Sequence, residues 1–234
     1  MPTAHPARQP TGAYGDLLGR CFELPSAPAL VMLPALNAAA ASNAAAMPFA
    51  VTRITCLPDQ LGMKPEIPAE DAFLVTLHLA AAAHHELWVR GRPAVVRGYV
   101  PGAISIVDLR DEVASYLGTP LDALQFYVPR ALVRAVAQLS RAENMAPVNG
   151  LACAPGLVDP VMCNLGAAVL ALFERPRPAA AGVQRHLALA ICAHLVHRFG
   201  NNADVQASPQ TPLVAPLVAP LVAPLDLPLA ARLH

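Results

Sequence analysis

The sequence has no excess of charge of either sign, and it has few charged residues altogether. Sixteen lysines and arginines balance sixteen aspartates and glutamates, and these four residue types make up 14% of the 234 residues. Direct binding to nucleic acid needs clustered lysine and arginine that neutralise phosphates, and no such cluster occurs. We therefore expect no direct nucleic-acid contact by this chain, whose length suffices for one domain with a sizeable core.

Cysteine is scarce, and its arrangement argues against a disulfide framework and a structural zinc site. The number of cysteines is odd, and none of them forms a C-x-x-C pair. We interpret them as small buried residues of a protein in a reducing compartment. The first twenty residues lack the apolar core of a secretory signal, so we expect a cytoplasmic protein. The five are Cys21, Cys56, Cys153, Cys163 and Cys192.

No apolar run is both long and unbroken enough to predict a membrane span. The stretch 24–52 carries no charge, but Pro28, Pro34 and Pro48 interrupt it and alanine supplies most of its length. A spanning helix needs about 20 consecutive apolar residues. We interpret residues 1–47 as a low-complexity N-terminal arm with a short helix near 36–46, and we expect no membrane partner.

The short motifs of common enzymes are also missing. The sequence has no G-x-S-x-G elbow, no G-x-x-x-x-G-K-[ST] loop and no G-x-G-x-x-G turn. His186, His194 and His197 share one side of a predicted helix, but no acidic residue within that helix completes a metal site. His84 and His85 are adjacent, so on a strand they would face opposite sides. We expect no enzymatic activity, no cofactor and no metal.

What the sequence does contain is a block of short alternating strands between residues 65 and 130. Strands are predicted at 72–80, 86–89, 94–96, 105–109 and 124–128, with glycine or proline between them. Such closely spaced strands are typical of an antiparallel sandwich or barrel that holds a small ligand. One face of the strand 72–80 is wholly apolar, with Phe73, Val75, Leu77 and Leu79. The other face holds Leu74, Thr76 and His78, and the sequence leaves open which face lies under the helices.

Three helices are predicted after this block. The stretch 131–139 has apolar residues at helical spacing. Asp159 followed by Pro160 is typical of a helix start, and this second helix continues to Glu174. The third helix runs from about 181 to 199 and ends at Gly200. Its apolar side covers either the sheet or a partner helix.

Two charged pairs occur at the ends of predicted strands. Asp108 and Arg110, two residues apart, form either an ion pair that closes the sheet or part of a pocket. Glu70 and Asp71 are most simply a feature of a turn or a strand edge. Neither pair predicts acid–base catalysis.

Several short stretches follow one another along the chain. They are G-M at 62–63, E-D-A-F-L-V at 70–75, L-W at 87–88, G-R at 91–92, S-I-V-D-L-R at 105–110, L-Q-F-Y-V-P-R at 124–130, D-P-V at 159–161 and H-L-A-L-A-x-x-x-H at 186–194. In this order and spacing they resemble the N-terminal sensor region of AraC-type transcriptional regulators. The resemblance covers roughly residues 48–200. It implies an α+β fold, with a cupin-like antiparallel β-barrel followed by two or three packed helices.

The same resemblance implies a domain that binds a small-molecule effector and forms a homodimer. The effector-pocket candidates are aromatic: Trp88, Tyr99, Phe126 and Tyr127. Trp88 either stacks on an effector or packs in the core. The candidates for a dimerisation helix are Leu187, Ile191, His194 and Leu195.

The chain departs from the family pattern after Gly200. Residues 212–223 are three copies of P-L-V-A, and a proline at every fourth position predicts an extended, disordered tail over 201–234. A major-groove recognition helix cannot be built from these residues. We therefore expect a sensor and dimerisation module without its DNA-binding half. The alternatives are a small cupin-like enzyme or binding protein, and a truncated gene product without function.

Overall fold

The computed structural model describes residues 14–24, 27–32, 49–94, 98–139, 148–174 and 181–201. The chain divides into two units, Met1–Ala203 and Asp204–His234, and all described residues belong to the first. The predicted short helix near 36–46 and the P-L-V-A repeats lie outside the described residues.

The described part contains twelve strands. In chain order they are β1 (Ala29–Met32), β2 (Phe49–Cys56), β3 (Gly62–Ile67), β4 (Ala72–His78), β5 (His85–Val89), β6 (Arg92–Pro93), β7 (Ala103–Asp108), β8 (Val113–Leu117), β9 (Leu121–Pro129), β10 (Gly150–Leu151), β11 (Leu157–Val158) and β12 (Gly200–Asn201). Six of them form one sheet, the large sheet, in the order β1-β2-β9-β4-β7-β11. Four form a second sheet, the small sheet, in the order β3-β8-β5-β6, and β10 pairs with β12. All paired strands are antiparallel.

Four helices complete the described part: α1 (Asp16–Cys21), α2 (Arg130–Leu139), α3 (Pro160–Glu174) and α4 (Ala181–Phe199). The three helices predicted from the sequence are confirmed. The backbone N–H of Met162 donates to Oδ1 of Asp159 at 2.8 Å, which is the predicted capping contact at the start of α3. Gly166 lets α3 approach the side chains of Leu77 and Leu124, because a Cβ at this position would contact both.

The large sheet is buried on both faces, so it separates two hydrophobic cores. Helices α2, α3 and α4 cover one face, where Phe73, Val75 and Leu77 lie. The small sheet and α1 cover the opposite face, where Leu74 packs with side chains of both sheets. The apolar face predicted for the strand 72–80 therefore lies under the helices. The face that carries Thr76 and His78 is turned toward the small sheet.

The predicted α+β class with antiparallel sheets is confirmed, and a closed barrel is not. Within the described residues, no strand of the large sheet pairs with a strand of the small sheet, so the two sheets form separate layers. The arm assigned to residues 1–47 also differs from the structure. Its α1 packs in the core between the sheets and its β1 pairs with β2, so the folded part begins well before residue 48.

None of the described helices combines the length and the apolar character that a membrane crossing would need. The cysteines are free thiols, as predicted, and three of them are buried: Cys21, Cys56 and Cys192.

Candidate functional site

A row of four polar side chains crosses the large sheet on the face turned toward the small sheet. Thr52 on β2 is the register partner of Gln125 on β9, and Gln125 is also paired with Thr76 on β4. Thr76 in turn pairs with Ser105 on β7. All four are buried, although strand interiors of this kind are usually filled with apolar side chains. Register thus places four hydrogen-bonding groups side by side within a core.

Three rings form a cluster beside this row, next to Thr76 along β4. The ring of His78 stacks on Tyr99 with a centroid distance of 4.1 Å and an interplanar angle of 9°. His85, from the small sheet, lies 5.4 Å from His78 and 5.3 Å from Tyr99. Tyr99 is held by a two-way backbone bridge to Ala82, at 2.8 and 2.9 Å. Residues from both sheets and from the loop before β7 therefore meet at one point. Gln125 is the register partner of Thr76, which is two residues from His78 on the same face of β4. We name these four residues the His78 cluster: His78, His85, Tyr99 and Gln125.

The polar atoms of the His78 cluster have no hydrogen-bond partner within the described part of the chain. This holds for both ring nitrogens of His78 and of His85, for the Tyr99 hydroxyl and for Oε1 of Gln125. The four side chains are at most 3% exposed. A buried polar group without a partner costs about 1–3 kcal/mol, and native proteins contain few of them. Six such atoms in one place indicate a site built for something other than stability.

Burial also determines the protonation state of these rings. It lowers the pKa of His78 to about 3, with the neighbouring His85 as a second cause, and it lowers the pKa of His85 to about 4. Burial raises the pKa of Tyr99 to about 12, and Cys153 adds to this shift. At neutral pH all three rings are uncharged. Each imidazole then has one N–H donor and one nitrogen acceptor.

The charged residues buried in the described part of the chain are paired elsewhere. Nζ of Lys64 lies 3.0 Å from Oε2 of Glu23, and Asp159 is paired with a histidine of α4. Arg130 pairs with Asp71 at the opposite end of β4 from the histidines. Among the residues that the structure describes, no group of three or more His, Cys, Asp or Glu side chains is placed to hold a metal ion.

The ends of three central strands meet at Arg130, the first residue of α2. Its Nε donates to Asp71 at 2.9 Å, its Nη1 donates to the carbonyl oxygen of Asn149 at 2.5 Å, and its Nη2 contacts Asp108. The guanidinium lies 4.2 Å from the centre of the Phe73 ring. Arg110 also pairs with Asp108, at 2.8 Å. The predicted ion pair that closes the sheet is confirmed, and Arg130 is an additional member that the sequence did not indicate.

The four aromatic pocket candidates do not lie together. Tyr99 belongs to the His78 cluster. Tyr127 faces the same space, but its hydroxyl donates to Oε2 of Glu70 at 2.6 Å and is already satisfied. Phe126 points the other way, into the core under the helices, because neighbours on a strand alternate between faces. Trp88 alternates with the inward His85 and Leu87, so it lies on the outer face of the small sheet, where its Nε1 is buried without a hydrogen-bond partner among the described residues. Phe126 and Trp88 therefore lie outside the His78 cluster, and their role in an effector pocket stays a prediction.

The four dimerisation candidates on α4 are placed differently from one another. Ile191 and Leu195 are fully buried in the core under the helices, so they are not surface residues of the chain. Leu187 is partly buried, and Nε2 of His194 lies 3.0 Å from Oδ1 of Asp159. The acidic partner of His194 comes from the start of α3, not from its own helix. Dimerisation through α4 stays a prediction.

Sequence analysis missed His85 and Gln125 as site residues. His85 was set aside because it adjoins His84, yet only His85 turns inward, and the exposed His84 lies against Glu86 at 3.1 Å. A usable signal was present, because Thr52, Thr76, Ser105 and Gln125 are polar residues inside otherwise apolar strands. Their alignment depends on strand register, which the sequence alone does not supply.

No protein-family model and no curated protein matches this sequence. Among solved structures, the AraC-like transcriptional activator CuxR is similar over 76% of this chain and 65% of its own, with 14% identity and a TM-score of 0.36. A mutant of Bacillus subtilis oxalate decarboxylase OxdC is similar over 68% of this chain and 36% of its own, with 11% identity and a TM-score of 0.28. Similarity at this level carries no argument about this chain.

Proposed function

We propose that this chain is a sensor module that binds a small-molecule effector between its two sheets. The observation that carries the proposal is the His78 cluster, where six buried polar atoms have no hydrogen-bond partner among the described residues. A ligand with complementary groups would remove the cost of burying those atoms, so the site is arranged to gain free energy on binding. The sequence resemblance to AraC-type sensor regions favours the same function.

We propose binding rather than catalysis because the His78 cluster contains no charged group. General acid–base or nucleophilic catalysis by a neutral histidine usually relies on a neighbouring carboxylate that orients and stabilises the ring. His78 and His85 instead face each other and Tyr99. The low pKa values of both rings also make them poor bases near neutral pH.

The route from the ligand to the helices runs through the large sheet. Gln125 in the site and Phe126 in the helix-side core are consecutive residues of β9, and β9 leads directly into α2. A ligand that shifts β9 would therefore alter how α2 and α4 pack, and α4 is the helix we propose for homodimer formation. In this proposal the helices pack on the sheet in two alternative ways. The ligand shifts the equilibrium between them because it binds one arrangement more tightly than the other.

A thermal-shift screen of small metabolites tests the proposal on the full chain. A ligand that binds the native state raises the melting temperature by mass action, by an amount that grows with its concentration. We expect hits with the unmodified chain and with Trp88→Phe, which changes an outer-face residue, and no shift with Tyr99→Leu. Circular dichroism checks that each variant is folded. An unresponsive, folded protein would contradict the proposal, as would hits that Tyr99→Leu retains in full.

A further inference from the structure

The chemical character of the His78 cluster narrows the kind of molecule that it can bind. We infer that the site takes an uncharged molecule carrying both hydrogen-bond donors and acceptors, and that it discriminates against the ionised analogue of the same molecule. This inference rests on the proposed function and adds the class of ligand. Three properties of the site support it: the mixture of hydrogen-bonding groups, the absence of an unpaired buried charge among the described residues, and the apolar side chains around it.

The unpartnered atoms of the cluster include donors and acceptors in similar number. Each neutral imidazole supplies one N–H and one acceptor nitrogen, and the Tyr99 hydroxyl can do either. The Oε1 of Gln125 is an acceptor only. A carboxylate offers acceptors alone and an ammonium offers donors alone, so either ion would leave part of the cluster unsatisfied. A hydroxyl, an amide or a neutral ring nitrogen next to an N–H matches both kinds of group.

Among the residues that the structure describes, each buried charged side chain already has a partner outside the cluster. Lys64 and Arg130 are held in ion pairs, and Oδ1 of Asp159 lies 3.0 Å from Nε2 of His194. An ion that left water for this site would lose its hydration without gaining a countercharge, which is strongly unfavourable. A neutral molecule loses only hydrogen bonds to water, and the cluster replaces them.

The surroundings of the cluster strengthen this discrimination. The core between the sheets contains apolar side chains from both layers, among them Leu74 and Val107 from the large sheet and Leu87 and Leu117 from the small sheet. Electrostatic interactions are screened weakly in such surroundings, so an unpaired charge is more costly and a satisfied hydrogen bond is stronger. The polar row adds the hydroxyl groups of Thr76 and Ser105 nearby. The site therefore favours neutral polar groups over both ions and hydrocarbons.

Pairs of probes that differ only in charge test the inference on the full chain. We propose isothermal titration at pH 7.5 with nicotinamide and nicotinate, benzamide and benzoate, and glucose and glucuronate. We expect at least one neutral member to bind, with a dissociation constant at least about tenfold lower than that of its carboxylate, equivalent to about 1.4 kcal/mol. Histidine ¹⁵N resonances of His78 and His85 should shift on adding the neutral member and stay unchanged with the carboxylate.

The outcomes separate this inference from the proposed function. Carboxylates that bind as tightly as their neutral partners, and that shift the same histidine resonances, would overturn the ligand class and leave small-molecule binding intact. Failure of all six probes at millimolar concentration, with a folded protein, would count against both. The variants Tyr99→Phe and Gln125→Leu each remove one hydrogen-bonding group and should weaken the neutral probe. Tyr116→Phe removes the same hydroxyl from the outer face of the small sheet and should leave binding unchanged.

Discussion

Acidification should destabilise this protein before its carboxylates begin to titrate, because two histidines are buried in neutral form. The pKa of His78 is lowered from 6.5 to about 3 and that of His85 to about 4, by burial in each case. The unfolded chain therefore binds more protons than the folded chain below pH 6.5. Stability is fully present above that pH, and it is lost as the pH falls toward the folded-state values.

The loss of stability grows with the distance of the pH below the pKa of histidine in the unfolded chain. Each unit of pH below 6.5 costs about 1.4 kcal/mol per histidine, so at pH 5.0 each ring contributes a loss of about 2 kcal/mol. The two rings together cost about 4 kcal/mol. A domain of this size is typically stable by about 5–15 kcal/mol, so this loss is a large fraction of the total.

Urea unfolding followed by circular dichroism at pH 7.0 and pH 5.0 measures this difference. We expect a fall of about 4 kcal/mol for the unmodified chain and about half of that for His85→Leu. The exposed His197 provides the matched control, and His197→Gln should keep the full pH dependence. The inference that both buried rings are neutral would be refuted if the free energy of unfolding changed by less than about 1 kcal/mol over this range. It would also be refuted if that free energy fell as much in His85→Leu as in the unmodified chain.

Three further predictions concern stability at pH 7. Arg130→Gln should cost about 1–3 kcal/mol, because it removes the buried guanidinium that pairs with the exposed Asp71 and the partly buried Asp108, whereas Arg90→Gln at an exposed ion pair should not change the urea midpoint. Tyr127→Phe should cost about 1–2 kcal/mol through loss of the hydrogen bond to a carboxylate, with Tyr116→Phe as its neutral control. Asp159→Ala should cost about 1–2 kcal/mol by removing the cap of α3, and Asp159→Asn should retain most of that stability.

Equilibrium unfolding in urea measures all three, with the slope of the transition as a check that the unfolded state is unchanged. An Arg130→Gln protein as stable as Arg90→Gln would show that the strand-end network contributes nothing. Equal stability of Tyr127→Phe and the unmodified chain would mean that the short contact to Glu70 is offset by its desolvation. If Asp159→Asn were as unstable as Asp159→Ala, the contact to His194, rather than the cap, would be the stabilising interaction.

The elements with a clear local pattern were predictable from the sequence. Strand β4 and helices α2, α3 and α4 were found because alternation, capping residues and a terminal glycine act over a few positions. Strand β2 was missed because its residues 49–54 are buried on both faces of the sheet, apart from the partly exposed Arg53, so the sequence shows no period of two. Strand β8 is short and contains Ala114 and Ser115, which have little hydrophobic contrast.

The candidate site was predictable only in part, since it depends on contacts between distant strands. Alternation correctly placed His78 with Thr76 and Leu74 on one face. All seven residues of β4 are buried, so hydrophobicity could not tell which face was turned toward the small sheet. The approach of His85 and Tyr99 to His78 joins residues from three separate segments. Aromatic character alone did not point to the His78 cluster, whereas polar residues within apolar strands do.

The large sheet separates two close-packed cores. A change of side-chain volume in one core therefore affects the space in the other. Close-packed protein interiors are scarcely compressible, so room gained on one side of a strand must be taken from the other. Leu77 and His78 are neighbours on β4, one touching the helical layer and the other the ring cluster. A substitution such as Leu77→Ala, on the opposite face of the sheet from the polar atoms of the cluster, would therefore change the space around the cluster. Variation among the helix-side residues would tune what the chain recognises without touching the residues that recognise it.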